Sequence, residues 1–153
     1  MIRREGPRPR TSTAGPQTQL DQLSSAAWWD SLSVMVFAEP HVVESPSAVS
    51  PATSRAVLFD DLSAVAVAES SLAPNGPLEP VHLHGGRDTS LHLCLPRDDA
   101  AEAIDAGWAE LHQYGDFGTE LMVYGPRNAV ELDVVIGLIR ASIRFARRVN
   151  MPR

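Results

Sequence analysis

The sequence predicts an α+β fold, a single domain in which an antiparallel β-sheet carries helices packed mainly on one face. Three observations predict it. Residues 55–59, 81–84 and 91–95 are short apolar or alternating stretches of strand length. Residues 17–38 and 128–146 repeat their apolar residues at helical spacing instead. The resulting order of helix, several strands, helix, strand, helix suits an antiparallel sheet with helices layered on it. A length of 153 residues is enough for one core.

Residues 1–16, rich in Arg, Pro, Thr and Gly without periodicity, are expected to form a disordered tail ahead of a domain over 17–153. Leu20, Leu23, Ala27, Trp28, Leu32 and Met35 then mark an opening helix, with Trp28 and Trp29 partly in the core. Pro40, Pro46 and Pro51 punctuate a loop, and strands follow over 55–59 and 63–68. Residues 70–80, with three prolines, Asn75 and Gly76, read as a connection. After the strand 91–95, Pro96 and Asp98 or Asp99 open a helix to about Ala106, closed by Gly107 as a left-handed cap. Residues 111–118 form a polar loop with His112, Tyr114 and Asp116, and 120–124 a strand. Asn128 with Glu131 three residues on is a capping-box pattern. It opens a last helix whose buried stripe is Leu132, Val135, Ile136, Ile139, Ile143 and Ala146.

Composition removes several function classes. No stretch is long and apolar enough for a membrane span, and Met1–Arg10 lacks the hydrophobic run of a signal peptide. The single cysteine, Cys94, fits a reducing cytoplasm and reads as a small buried hydrophobe. All 13 basic residues are arginine, so Schiff-base chemistry and a P-loop lysine are excluded. Four arginines against Glu5 in the first ten residues give +3, leaving −9 of the net −6 for the remainder, a poor match for nucleic acid. The arginines at 140, 144, 147 and 148 read as a solvated helix face.

The chemistry concentrates in residues 81–95, which hold three of the five histidines. Alternation puts His82 and His84 on one face of a strand. The Gly85-Gly86 pair marks a turn, and Leu91 opens a returning strand bearing His92. An odd loop centred on Arg87 sets His82 opposite His92, and an even one turns His92 to the other face.

Four pieces in series resemble the luciferase-domain family, which includes the luciferase of mushroom bioluminescence. They are His82-Leu83-His84, Ser90-Leu91-His92-Leu93, Gly107-Trp108 with His112 four residues on, and Tyr124-Gly125-Pro126-Arg127-Asn128 leading to Glu131. The family reads roughly H-x-H, T-L-H-L, G-W-x-x-x-H and Y-A-P-R-N-x-x-E over the stretch from about Pro80 to Ala146. The turn Gly85-Gly86-Arg87 departs from a more polar, His-containing one. The resemblance implies oxidation of a hydroxylated pyrone by molecular oxygen, through an endoperoxide that loses carbon dioxide, without flavin or other organic cofactor.

The resulting expectation is a small cytoplasmic enzyme acting on an enolisable aromatic or pyrone-like metabolite, by oxygenation with molecular oxygen as co-substrate or by a related proton-transfer step such as cyclisation or decarboxylation, with no cofactor and no bound metal. His82, His84 and His92 are the catalytic candidates, one imidazole acting as general base because its pKa lies near working pH. Arg127, before a helix N-terminus, is expected to hold the resulting anion. Trp108, His112, Tyr124 and Asn128 are the candidate substrate-binding residues. Two alternatives stand beside this one. One is a non-catalytic small-molecule binding module. The other is a cupin-like oxygenase whose metal is ligated by His82, His84 and His92, completed by Asp88 or His112. The partner is a small molecule, with no nucleic acid and no membrane.

Overall fold

Parity along the strands divides the sheet into two unlike faces. The computed structural model describes residues 1–63, 66–85, 87–115 and 117–152. Its strands are β1 (Val42–Pro46), β2 (Arg55–Phe59), β3 (Val81–Leu83), β4 (Leu91–Cys94), β5 (Ala109–Leu111) and β6 (Glu120–Val123). They form one antiparallel sheet in the order β1-β2-β3-β4-β6-β5. Val57, Val81, Leu83, Leu91, Leu93, Leu121 and Val123 point to one side and are fully buried. On that side lie α1 (Ala26–Phe37), α2 (Arg97–Asp105) and α3 (Ala129–Asn150), so the fold is the expected α+β class. Truncating a fully buried leucine such as Leu91 or Leu93 to alanine costs about 2–5 kcal/mol.

The other face carries Ala56, His82, His92, Met122 and Glu110, which the pairing aligns across the strands. No helix covers this face among the described residues; loops and the N-terminal segment do. Gly85 permits one of these coverings. A Cβ there would stand 2.3 Å from the Thr53 carbonyl oxygen, so only glycine lets the 51–54 loop close on the hairpin.

Several elements differ from expectation. The first helix begins at Ala26, capped by Ser25 Oγ on the Trp28 N–H, rather than at Gln17. Leu20 and Leu23 are exposed, and Gln17 and Gln19 are buried by their side-chain hydrogen bonds instead. β1 and β5 fall where loops were expected, because both are sheet edges paired on one side only. The strand expected over 63–68 includes Ala64 and Val65, which lie outside the described residues; Ala68 opens a short 3-10 turn to Ser70. Asp116 of the polar loop is also outside them. Gly107, at φ +88°, closes α2 as expected, with its N–H on Ile104 and that of Trp108 on Ala103. Asn128 Oδ1 caps α3 through the Glu131 N–H, and the expected stripe is buried.

The segment expected as a disordered tail is packed on the domain. Arg4 is 5% exposed, its N–H donates to the Ala106 carbonyl, and its guanidinium lies 5.5 Å from the Tyr124 ring centroid. Arg8 donates to the carbonyls of Ala109 and Ile104, and Thr11 bridges to Gln19. The arginines that made this stretch look unfoldable are the groups that fasten it.

Candidate active site

β3 and β4 carry the site because their register sets His82 directly opposite His92, the outcome of an odd loop. His84 follows β3 on the same face. All three imidazoles are buried, with ring centroids 4.5–5.3 Å apart. They open on a cavity of about 400 Å³. Apolar Val49, Pro51, Leu72, Pro74 and Phe117 share its wall with Gln17, Ser50, Ser54 and Tyr114, and most of the exposed lining is apolar.

Each of two histidines is held by a carboxylate. His82 Nδ1 lies 2.8 Å from Glu79 Oε1, and Glu79 also accepts from Ser47 Oγ at 2.6 Å and the Ala48 N–H at 2.9 Å. His84 Nδ1 lies 2.7 Å from Asp88 Oδ2. The other oxygen of Asp88 takes the N–H and hydroxyl of Ser90 and the N–H of Gln19. A carboxylate only accepts, so in both rings the proton sits on Nδ1 and Nε2 keeps its lone pair. His82 Nε2 then accepts from His92 Nδ1 at 3.1 Å, which leaves the lone pair of His92 on Nε2. That nitrogen is buried and has no hydrogen-bond partner among the described residues.

Electrostatics follow from burial and these bonds. Burial would raise the Glu79 pKa, but the hydrogen bonds from His82, Ser47 and Ala48 outweigh it and hold the carboxyl low. The same balance, with His84 and Ser90 as donors, keeps Asp88 ionised. Burial pushes His82 and His92 below the ordinary histidine value, and the neighbouring imidazoles add to the effect at His92. His112 is brought to the cluster, its ring centroid 4.3 Å from that of His92. Burial and the adjacent histidines lower its pKa to about 4. Its Nδ1 lies 3.1 Å from the Tyr114 backbone nitrogen and 3.5 Å from Glu120 Oε1.

The remaining expected site residues lie elsewhere. Arg127 forks onto Glu131, also bonding Gln22 Oε1 and the Glu5 carbonyl, because a buried carboxylate four residues on captures it before any ligand can. Trp108 is fully buried in the main core, with Nε1 donating to the Ile2 carbonyl at 2.7 Å. Tyr124 donates to Glu110 Oε2 at 3.1 Å beneath the N-terminal segment. Asn128 is spent as the cap of α3. Asp88, the candidate for completing a ligand set, holds His84 Nδ1 through its carboxylate. Cys94 is buried against Leu72 and Phe145, and burial with the charges of Glu120 and Glu79 raises its pKa, as suits a small core residue.

Sequence reasoning missed Glu79. It sits in the proline-rich connection, but its place three residues before His82, just ahead of Pro80 and the strand, was an available signal.

Residues 77–142 match the luciferase domain. That segment belongs to the luciferase-domain family. The match spans both histidine strands, α2 and most of α3, and so holds the site's Glu79, His82, His84, His92 and His112. Curated luciferases of Armillaria gallica and Armillaria mellea are each 38% identical over 73 residues, 44% of this chain and 27% of theirs. That of Neonothopanus nambi is 36% identical over the same length. The chain thus spans about a quarter of the length of these relatives. No solved structure matches it. Among the described residues, no helix is long and apolar enough to cross a membrane.

Proposed function

We propose that this luciferase-like chain is a small-molecule enzyme that oxygenates an enolisable aromatic or pyrone-like metabolite in the histidine cavity. The observation that carries the reading is the buried His92 Nε2, a lone pair without a partner among the described residues, at the end of the Glu79–His82–His92 line. Burial holds the free His92 ring below the ordinary histidine value rather than near working pH, so it takes the phenolic or enolic proton only with Glu79 behind it, which balances the charge that appears on His92 and His82. His112, whose ring centroid lies 4.3 Å from that of His92, is the neighbouring polar ring assigned to the oxyanion left behind. The electron-rich anion then reduces molecular oxygen, its own electrons forming the new carbon–oxygen bonds, so no organic cofactor is called for.

A cavity of about 400 Å³ is the size of a small-ligand site. Incubation with a panel of hydroxypyrones and polyphenols, in air and under argon, tests the proposal. Oxygen uptake matched to product supports it. Product formed equally without oxygen overturns the oxygenase reading, and saturable binding with no turnover of any panel member favours a binding module.

A further inference from the structure

We infer that His82, His84 and His92 form the site of one divalent first-row transition-metal ion. One ring nitrogen from each lies within 4.8 Å of the others, and all three residues are buried. The Nδ1 atoms of two rings are occupied by Glu79 and Asp88, which leaves their Nε2 lone pairs as the ligand atoms. A carboxylate on the far nitrogen is the arrangement that orients metal-bound histidine and raises its donor strength.

The third ring fits as well. His82 Nε2 and His92 Nδ1 are 3.1 Å apart. Two nitrogens at that separation, each about 2.1 Å from an ion, subtend about 95°, close to the angle between adjacent ligands of an octahedron. Moving the His92 proton from Nδ1 to Nε2 makes it a ligand with no change of charge. One nitrogen of each ring lies within 4.8 Å of the others, against about 3–3.5 Å between coordinated nitrogens, so binding draws the rings together by side-chain motion.

Charge balance points the same way. Glu79 and Asp88 are two carboxylates behind neutral rings, and among the described residues neither is paired with an arginine. A dication facing the three nitrogens neutralises them. Neutral imidazoles without thiolate suit iron, cobalt, nickel, copper or zinc, whereas magnesium and calcium prefer oxygen ligands. The inference departs from the expected metal-free site and rests on the proposed function only for the substrate. With an ion held by these three rings, the metal would supply acidification of the substrate hydroxyl, and the base role of His92 Nε2 belongs to the metal-free protein.

The test needs no substrate. Chelator-stripped full-length protein is titrated with cobalt(II), following visible d–d absorption and thermal stability, and zinc is then used in competition. The expected result is one equivalent of cobalt, a raised Tm, and displacement by zinc. His84→Gln should weaken cobalt binding at least 100-fold and Glu79→Gln about 10–100-fold. His41→Ala, in the exposed His41, Asp60 and Asp61 group, should change nothing. The absence of absorption and of a Tm shift at millimolar cobalt overturns the inference. So does undiminished binding in a folded His84→Gln, or binding abolished by His41→Ala. Oxygen-dependent turnover in chelator, with no metal bound, removes the ion and leaves the proposed function standing. Tight metal binding with no turnover of any panel compound does the reverse.

Discussion

His82 Nε2 and His92 Nδ1 face each other at 3.1 Å across a paired position of β3 and β4. The contact exists because seven residues, 84–90, separate the two strands, and an odd count keeps both imidazoles on one face. Everything the site can do descends from that parity. Glu79 fixes the proton of one ring, that ring fixes the proton of the next, and the last nitrogen is left for chemistry.

His92→Ala removes that nitrogen. Turnover should fall by about 10²–10⁴-fold, the usual contribution of a positioned base, while KM changes little because the cavity walls remain. Steady-state kinetics on an active panel substrate measure both. A large rise in KM at unchanged kcat would assign His92 to binding alone.

Glu79→Gln keeps the shape and changes the proton order. An amide can donate to His82 Nδ1, which moves that ring's proton to Nε2 and reverses the bond to His92. The expected outcome is a kcat loss of at least tenfold, with a stability cost of about 1–3 kcal/mol for the altered buried partner. Denaturant unfolding and kinetics on the same preparation separate the two effects. Unchanged kcat in a folded variant would reduce Glu79 to a packing residue.

The hairpin was legible because period-two spacing and a glycine pair are local signals, and they name the face on which three histidines meet. Glu79 was not, since its bond to His82 is made by a connection with no periodicity. One omission accounts for both the tail and Tyr124. Residues 1–19 lie over the β5–β6 end of the histidine face, where Gln17 and Thr11 bond Glu110 and Pro16 and Thr18 reach the cavity wall. Under that covering the Tyr124 hydroxyl bonds Glu110 and does not line the cavity. Arg127 and Asn128 were placed correctly in their motif, but local order does not reveal that Glu131 and the helix terminus consume them.

Arg127→Ala should cost stability and spare catalysis. Glu131 is 4% exposed and takes the Arg127 N–H at 2.8 Å as well as its guanidinium. Removing one member of a buried pair costs about 3–5 kcal/mol, because the survivor stays charged and desolvated. Here the lower end applies, since Arg127 is itself partly exposed and Arg4 lies 4.0 Å from the same carboxylate. Urea midpoints read the loss. An equally stable variant with raised KM would return Arg127 to the substrate.

Stability should fall as pH drops below about 6.5. The unfolded chain protonates His82, His92 and His112 near that value, whereas the folded chain holds all three lower, His112 at about 4. Protons then bind the unfolded state first, so the loss begins near 6.5 and continues toward the folded values. Glu79, also held low, adds its share only beneath the ordinary carboxylate range. Urea midpoints of the metal-free chain from pH 8 to 5 measure the slope, and His112→Gln should make it shallower. A midpoint constant over that span would refute neutral burial of the three rings.

Deleting residues 1–16 should destabilise the domain and open the cavity. The deletion removes the Arg4 backbone bond to Ala106, the Arg8 bond to Ala109 and the Thr11 bond to Glu110. It also removes Pro16 from the cavity wall and the Ile2 carbonyl that satisfies the buried indole of Trp108. One buried donor left without its partner costs about 1–3 kcal/mol, and the other losses add to it. The expected Tm decrease is therefore several degrees for a domain of this size. Hydrogen exchange at the Trp108 indole should accelerate in the same variant, and ligand affinity should fall. An unchanged Tm, with the indole still protected, would return residues 1–16 to the status of a free tail.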